Sequence, residues 1–459
     1  MGNFRNVRKL SIIYMTICSI QMVMVQTINF FFEVSQIIIS NMPSCQHSTK
    51  TPQHPSTHEC FGWSRSDPSV LAQNPGSLKK SFSMSRTHIG LVPSRTVVTS
   101  FSSLSSSSHD ESQDIYDSGV WVLDICTGLS WSACSLSTGT LNVYDNERLC
   151  ELQSYSLPTR DAIITDISSD CVNGLISSSK SGILTIFDIR QSNSVLSFGL
   201  PQNEEALTVD MGYNGALAAV GSSKSHIHFY DVRAGGKLLG SYVDAHTDDV
   251  TMLRFQPSTY PHSTGSLLIS ASEDGLACIF DTCQPSEEAA LQGVLNVQAP
   301  LRKVGFFGPA MEGVYCLTGS ETLSVWHHET AQRICDFGSN LRSDLSQVAS
   351  VQVDYLVDCS WDANQQQLSL LAGNNSGDGA IFLVEAGNIS PSHTLQNGHK
   401  GVIRSWTQIP KSNHFLTVGE DARLCEWNRQ GKNTPISSSL SSKAPSKRPK
   451  SKGKESNPY

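Results

Sequence analysis

The 459-residue sequence contains no Cys-x-x-Cys pair, and its thirteen cysteines follow no regular spacing. An odd, scattered set in a chain this long argues against a disulfide framework and for reduced thiols in a cytosolic or nuclear protein. Several, such as Cys278 and Cys425, fall within apolar alternation and read as small core residues. Catalytic signatures are missing as well. There is no Gly-x-x-x-x-Gly-Lys-Ser/Thr loop to cradle phosphate, no Gly-x-Gly-x-x-Gly, no His-Glu-x-x-His and no Gly-x-Ser-x-Gly elbow. No cofactor and no metal are implied. His327-His328 reads as a degenerate repeat end, because neighbours on a strand face opposite sides and cannot chelate one ion. Positive charge is scarce outside one place. The net charge is −8, and the stretch from Lys432 to Tyr459 carries seven Lys or Arg against one Glu, so the rest holds about −14. An acidic body offers no basic face for nucleic acid.

What the sequence does contain, from residue 135 onward, is one phrase written seven times. A small or polar turn precedes alternating apolar residues, then an aromatic and a polar residue. The clear copies end at Tyr144-Asp145, Phe187-Asp188, Tyr230-Asp231, Phe280-Asp281 and Trp427-Asn428, the weaker ones at Trp326-His327 and Val384-Glu385. The intervals between these ends are 43, 43, 50, 46, 58 and 43 residues. A period of roughly 40–45 residues closing on a Trp-Asp-like pair is the signature of a WD-repeat β-propeller. Short strand patterns at Val120–Ile125, Ile163–Ile167, Val250–Phe255 and Val402–Trp406 fall at blade spacing. The expected fold is all-β, a seven-bladed propeller over 113–430. It is flanked by a low-complexity, disordered segment, 1–112, and a basic disordered tail, 431–459.

Within the first flank, Arg5, Arg8 and Lys9 precede a charge-free run from Leu10 to Phe32. Its 23 residues match a membrane span or signal anchor. Ser11, Thr16, Ser19, Gln21, Gln26, Thr27 and Asn29 interrupt the run, so the favoured expectation is an upstream extension with Met84 as the alternative start. Membrane anchoring by 10–32 is the competing one. A lone β-like island, Arg95–Phe101, is expected to close the ring by completing the last blade, whose C-terminal side at 429–437 is rich in Pro and Ser. In the tail, Lys447, Arg448, Lys450, Lys452 and Lys454 resemble a nuclear import signal, so the expected location is nuclear, cytoplasmic or both.

The last repeat carries His399, Thr417, Asp421 and Trp427 at the positions of a blade's internal hydrogen-bond chain, in which imidazole alone links a carboxylate to a hydroxyl. His246, Ser270, Asp274 and Phe280 repeat the set with a ring that cannot donate. A His-Ser-Asp group also suits a cryptic hydrolase, but a hydroxyl committed inside a blade makes that the weakest reading. Two neighbouring repeats end in Asp-x-Arg, Asp188 with Arg190 and Asp231 with Arg233. Such paired boxes resemble those by which WD-repeat substrate receptors dock on the adaptor of cullin-RING ubiquitin ligases, where the planar guanidinium fork binds oxygens bidentately. The plainer reading is a local Asp–Arg pair.

At the level of whole phrases, residues from about 115 to 454 resemble the WD-repeat protein 89 family. The resemblance rests on His246–Ser258, Ser272–Leu276, Asp354–Leu356, Gly398-His399 with Val402 and Arg404, and Glu420-Asp421-Ala422 with Trp427 ahead of a Lys/Arg-rich tail. It implies a propeller without enzymatic activity. The expected function is a protein-interaction scaffold using the propeller faces, with other proteins as partners. A substrate receptor that takes a ligase adaptor as partner is the alternative.

Overall fold

The computed structural model describes residues 81–82, 89–99, 119–157, 163–170, 172–257 and 265–430, all within the unit Phe61–Tyr459. They form seven sheets, each with four antiparallel strands built from the inside outward. The innermost strands are Val122–Thr127, Ile164–Ser169, Ala206–Gly212, Val250–Phe255, Leu301–Phe307, Tyr355–Asp362 and Ile403–Gln408, for blades 1 to 7. Each packs against the next around a ring, and the strand of blade 7 meets that of blade 1. Seven-bladed closure leaves no long edge unpaired inside the ring.

The repeated phrase encodes the third strand of each blade, and its terminal residue explains why the blades stack. Tyr144, Phe187, Tyr230, Phe280, Trp326, Val384 and Trp427 are all buried. Each lies in a hydrophobic cluster shared with the preceding blade: Phe280 with Phe229 and Tyr242 of blade 3, Trp427 with Leu371 and Ile381 of blade 6, Tyr144 with Leu416 and Val418 of blade 7. One large side chain per repeat therefore fastens each blade to its neighbour by apolar burial. The outer strands are mostly exposed, as in Ser194–Gly199 and Lys237–Tyr242.

The last blade takes its outer strand from ahead of the 113–430 span. Arg95–Val98 pairs antiparallel with Arg423–Asn428, Arg95 opposite Glu426 and Val98 opposite Arg423. Two shorter strands, Ser81–Phe82 and Ile89–Leu91, run parallel to Asn388–Leu395 on the outer edge of blade 6. Leu91 is buried there against Leu395 and Trp427. Arg95 donates to both carboxylate oxygens of buried Glu426 and to the backbone oxygens of Asn146 and Glu147 in blade 1. Asn142 of blade 1 donates to the Thr99 carbonyl at 3.0 Å, so this segment ties the two ends of the ring together.

Candidate functional site

Every innermost strand carries the same irregularity. The register with the second strand slips before Asp124, Asp166, Thr208, Met252, Lys303, Asp358 and Ser405. A bulge bends a strand and re-aims its side chains. Asp166 accepts from the Thr208 hydroxyl at 2.6 Å and the Val209 amide at 3.0 Å in the next blade. Asp210, two residues beyond the slip, accepts from Ser168 at 2.6 Å and from the Phe255 amide at 2.6 Å. Arg254, on blade 4, approaches Asp166 at 3.6 Å. Burial works against the guanidinium charge. The carboxylates of Asp166, Asp210, Asp124 and Asp358, from four blades, outweigh it and hold its pKa above the ordinary value. Burial pushes the Asp124 carboxyl up, with Asp166 adding repulsion and Lys303 opposing; burial does the same to Asp210, with Arg254 opposing. Four carboxylates of the innermost strands, which surround the central channel of a propeller, thus act together with Arg254 and Lys303.

Around the channel mouth the loops carry the internal hydrogen-bond chains. In blade 7 the Trp427 indole donates to Thr417 Oγ1 at 2.8 Å, Thr417 meets His399 Nε2 at 2.7 Å, and His399 Nδ1 meets Asp421 Oδ1 at 3.0 Å. Asp421 also accepts from the Lys400 and Arg423 amides, which fixes the turn. In blade 4, His246 joins Ser270 at 2.7 Å and Asp274 at 3.1 Å, while Phe280 fills the indole's place without donating. Ser270 is 0% exposed, so its hydroxyl meets no substrate. Replacing Asp421 with Ala strands His399 and two turn amides. The expected cost is about 1–3 kcal/mol, the penalty for buried groups left unpaired. A denaturation midpoint equal to wild type would show that the chain of bonds adds no stability.

On the opposite rim, Asp188 is clamped bidentately by Arg190, and Arg233 lies 3.9 Å from Asp231. The two arginine side chains are 68% and 78% exposed. The hydrogen bonds from Arg190 hold the Asp188 carboxyl below its ordinary value. The basic cluster Lys447–Lys454, the run Leu10–Phe32 and Phe101 lie outside the described residues. His327 and His328 sit at a strand end, where strict alternation lapses: their rings are near parallel, 6.1 Å apart. Sequence reasoning missed the acidic channel and also a buried group in blade 3, where Glu204 meets His226 and His228. An Asp flanked by apolar or Thr residues, as in Leu-Asp-Ile125, Thr-Asp-Ile167 and Val-Asp-Cys359, was the available signal for the first, and His226-x-His228 for the second.

Seven four-stranded blades with aromatic terminators and His–Asp loop chains define a WD-repeat β-propeller. No family model matches the sequence. The chain is similar to the WD repeat-containing protein 89 homolog of Dictyostelium discoideum, 29% identical over 322 residues, which covers 70% of this chain and 86% of that protein. It is also 29% identical over 340 residues to WD repeat-containing protein GTS1 of Arabidopsis thaliana, covering 70% of this chain and 84% of that one. The likeness to the WD-repeat protein 89 family read from the sequence phrases therefore holds over most of the propeller. Among solved structures, a chain of the mitotic checkpoint complex matches with a TM-score of 0.57 and 14% identity, covering 84% of this chain and 99% of that one. That last likeness concerns the fold alone.

Proposed function

We propose that this protein is a non-enzymatic scaffold that binds a basic segment of a partner protein on the loop face of blades 3 and 4, above the acidic channel. The observation that supports this is a crowd of carboxylates: Glu205, Asp248, Asp249 and Glu273 share the loops there, and Asp248 and Glu273 are exposed. Burial, then repulsion from Asp248 and Glu205, holds the Asp249 carboxyl above its ordinary value. Lys180 lies 3.9 Å from Glu205. Like charges held together gain from a cationic ligand, which also steers its approach. The His–Ser–Asp group of blade 4, sealed from solvent, supports a role without chemistry. The ligase-receptor reading rests on Arg190 and Arg233 being exposed on adjacent blades, although the Arg190 fork is already held by Asp188.

Affinity purification with mass spectrometry tests both readings on three proteins: wild type, Asp248→Lys with Asp249→Lys, and Arg190→Ala with Arg233→Ala. The charge-reversed variant, with its melting midpoint unchanged, is expected to recover partners at least tenfold less well, a change of about 1.4 kcal/mol. The arginine variant should retain them. Undiminished recovery by the charge-reversed variant would overturn the loop-face proposal. A cullin-RING adaptor captured by wild type and lost from the arginine variant would put the receptor reading in its place.

A further inference from the structure

We propose that Glu204, His226 and His228 form a zinc site in blade 3, a binding site distinct in chemistry from the neighbouring carboxylates of the partner-binding face. Glu204 follows the short turn Pro201–Asn203, in which Gln202 and Asn203 take left-handed backbone angles of 56° and 55°. That kink turns the carboxylate inward, where its side chain is 1% exposed. The backbone of Glu204 lies over Gly182, where a Cβ would come within 2.2 Å of the Glu204 carbonyl oxygen, so the loop has little freedom to move. His228 lies on the third strand and His226 immediately precedes it. Residues two apart on a strand share a face. His226 Nδ1 lies 3.1 Å from one carboxylate oxygen and His228 Nε2 3.0 Å from the other. The three donor atoms all fall within 4.8 Å of one another. Tetrahedral zinc with bonds of about 2.0–2.1 Å holds its ligands about 3.4 Å apart, so a shift of an ångström or so completes the site.

Three further observations favour a cation over a plain hydrogen-bond group. Glu204 is a nearly sealed carboxylate, and among the described residues no Lys or Arg pairs with it. Hydrogen bonds from the two imidazoles and from Ser222 reach this buried carboxylate, and a bound cation would add opposite charge at the same place. Second, His228 Nδ1 meets Ser241 Oγ at 2.7 Å. That is the outer partner which orients a metal-bound imidazole and leaves its other nitrogen to face the ion. Third, His226 is 27% exposed, which gives the ion a path and leaves one coordination position for water. Two imidazoles and one carboxylate suit zinc; magnesium and calcium favour all-oxygen sets.

The test is a cobalt titration of metal-stripped, full-length protein without a histidine tag, followed by zinc displacement. Wild type is expected to take up one equivalent of cobalt with the absorption of a four-coordinate ion and no thiolate charge-transfer band, to release it to zinc, and to melt higher with zinc present. His226→Ala, at a position 27% exposed, should fold and bind at least tenfold more weakly. Should that variant fail to fold, Glu204→Gln carries the same expectation, because it keeps the side chain's shape and removes its charge. Absence of the band in wild type, equal binding by the variants, or a thiolate band showing that cysteines hold the ion would each overturn the site.

Discussion

Removing residues 1–99 is expected to destabilise the propeller by about 3–5 kcal/mol, whereas removing 1–80 leaves every described strand in place and should not lower the melting midpoint. The longer cut removes the two short strands on blade 6 with buried Leu91 and, above all, Arg95–Val98, which supplies the fourth strand of blade 7. Without it, Glu426, 1% exposed in the intact protein, loses the guanidinium that grips both its oxygens. Leaving one member of a buried ion pair behind costs roughly the quoted amount. The half-buried His414, 2.7 Å from the same carboxylate, is the remaining partner and offsets part of the loss. The missing strand also bares an edge to intermolecular pairing, so the shortened protein should self-associate. Chemical denaturation of the two truncations decides: equal midpoints would show that ring closure does not depend on this strand.

Replacing Arg254 with Ala should be the most damaging single change in the channel, about 2–4 kcal/mol at neutral pH. The figure is set below the roughly 3–5 kcal/mol of a sealed pair because Arg254 is still 28% exposed. The loss should depend on pH in a defined direction. Asp124 and Asp210 already titrate above the ordinary 3.8 because burial disfavours their charge, and Arg254 opposes that shift in both. Without the guanidinium their folded values rise further. A carboxyl whose folded pKa is raised binds more protons folded than unfolded, so it destabilises as pH rises through the folded value and recovers as pH falls toward 3.8. The gap between variant and wild type is therefore expected to narrow as the pH falls from neutrality toward the ordinary carboxylate range. Arg254→Lys should restore part of it by returning a charge. A gap that stays constant or widens on acidification would refute the compensating role of Arg254.

The blades were legible because each repeat states its own local structure. The terminator recurs at a near-constant interval, and the same large side chain that marks the phrase fastens one blade to the next. The chain through His399, Thr417, Asp421 and Trp427 was legible for a related reason: one blade contains all four residues. The channel was not legible. Asp124, Asp166, Asp210, Arg254 and Asp358 each sit in a different blade, and nothing in any one repeat shows that its bulge points at the others. Glu204 was hidden differently, since it lies in a connection between blades, outside the phrase that set the register.

By itself the sequence determined the number of blades, the acidic character of the body and the residue types available to each loop. These follow from local alternation and turn chemistry, which act over a few residues. The tertiary structure alone decided which charges meet. Closing the ring brings side chains from blades far apart in sequence to one axis, where low solvent access makes their separation matter far more than in water. The same closure turns Arg95, an unremarkable residue in a polar stretch, into the clamp on Glu426 that joins the last blade to the first.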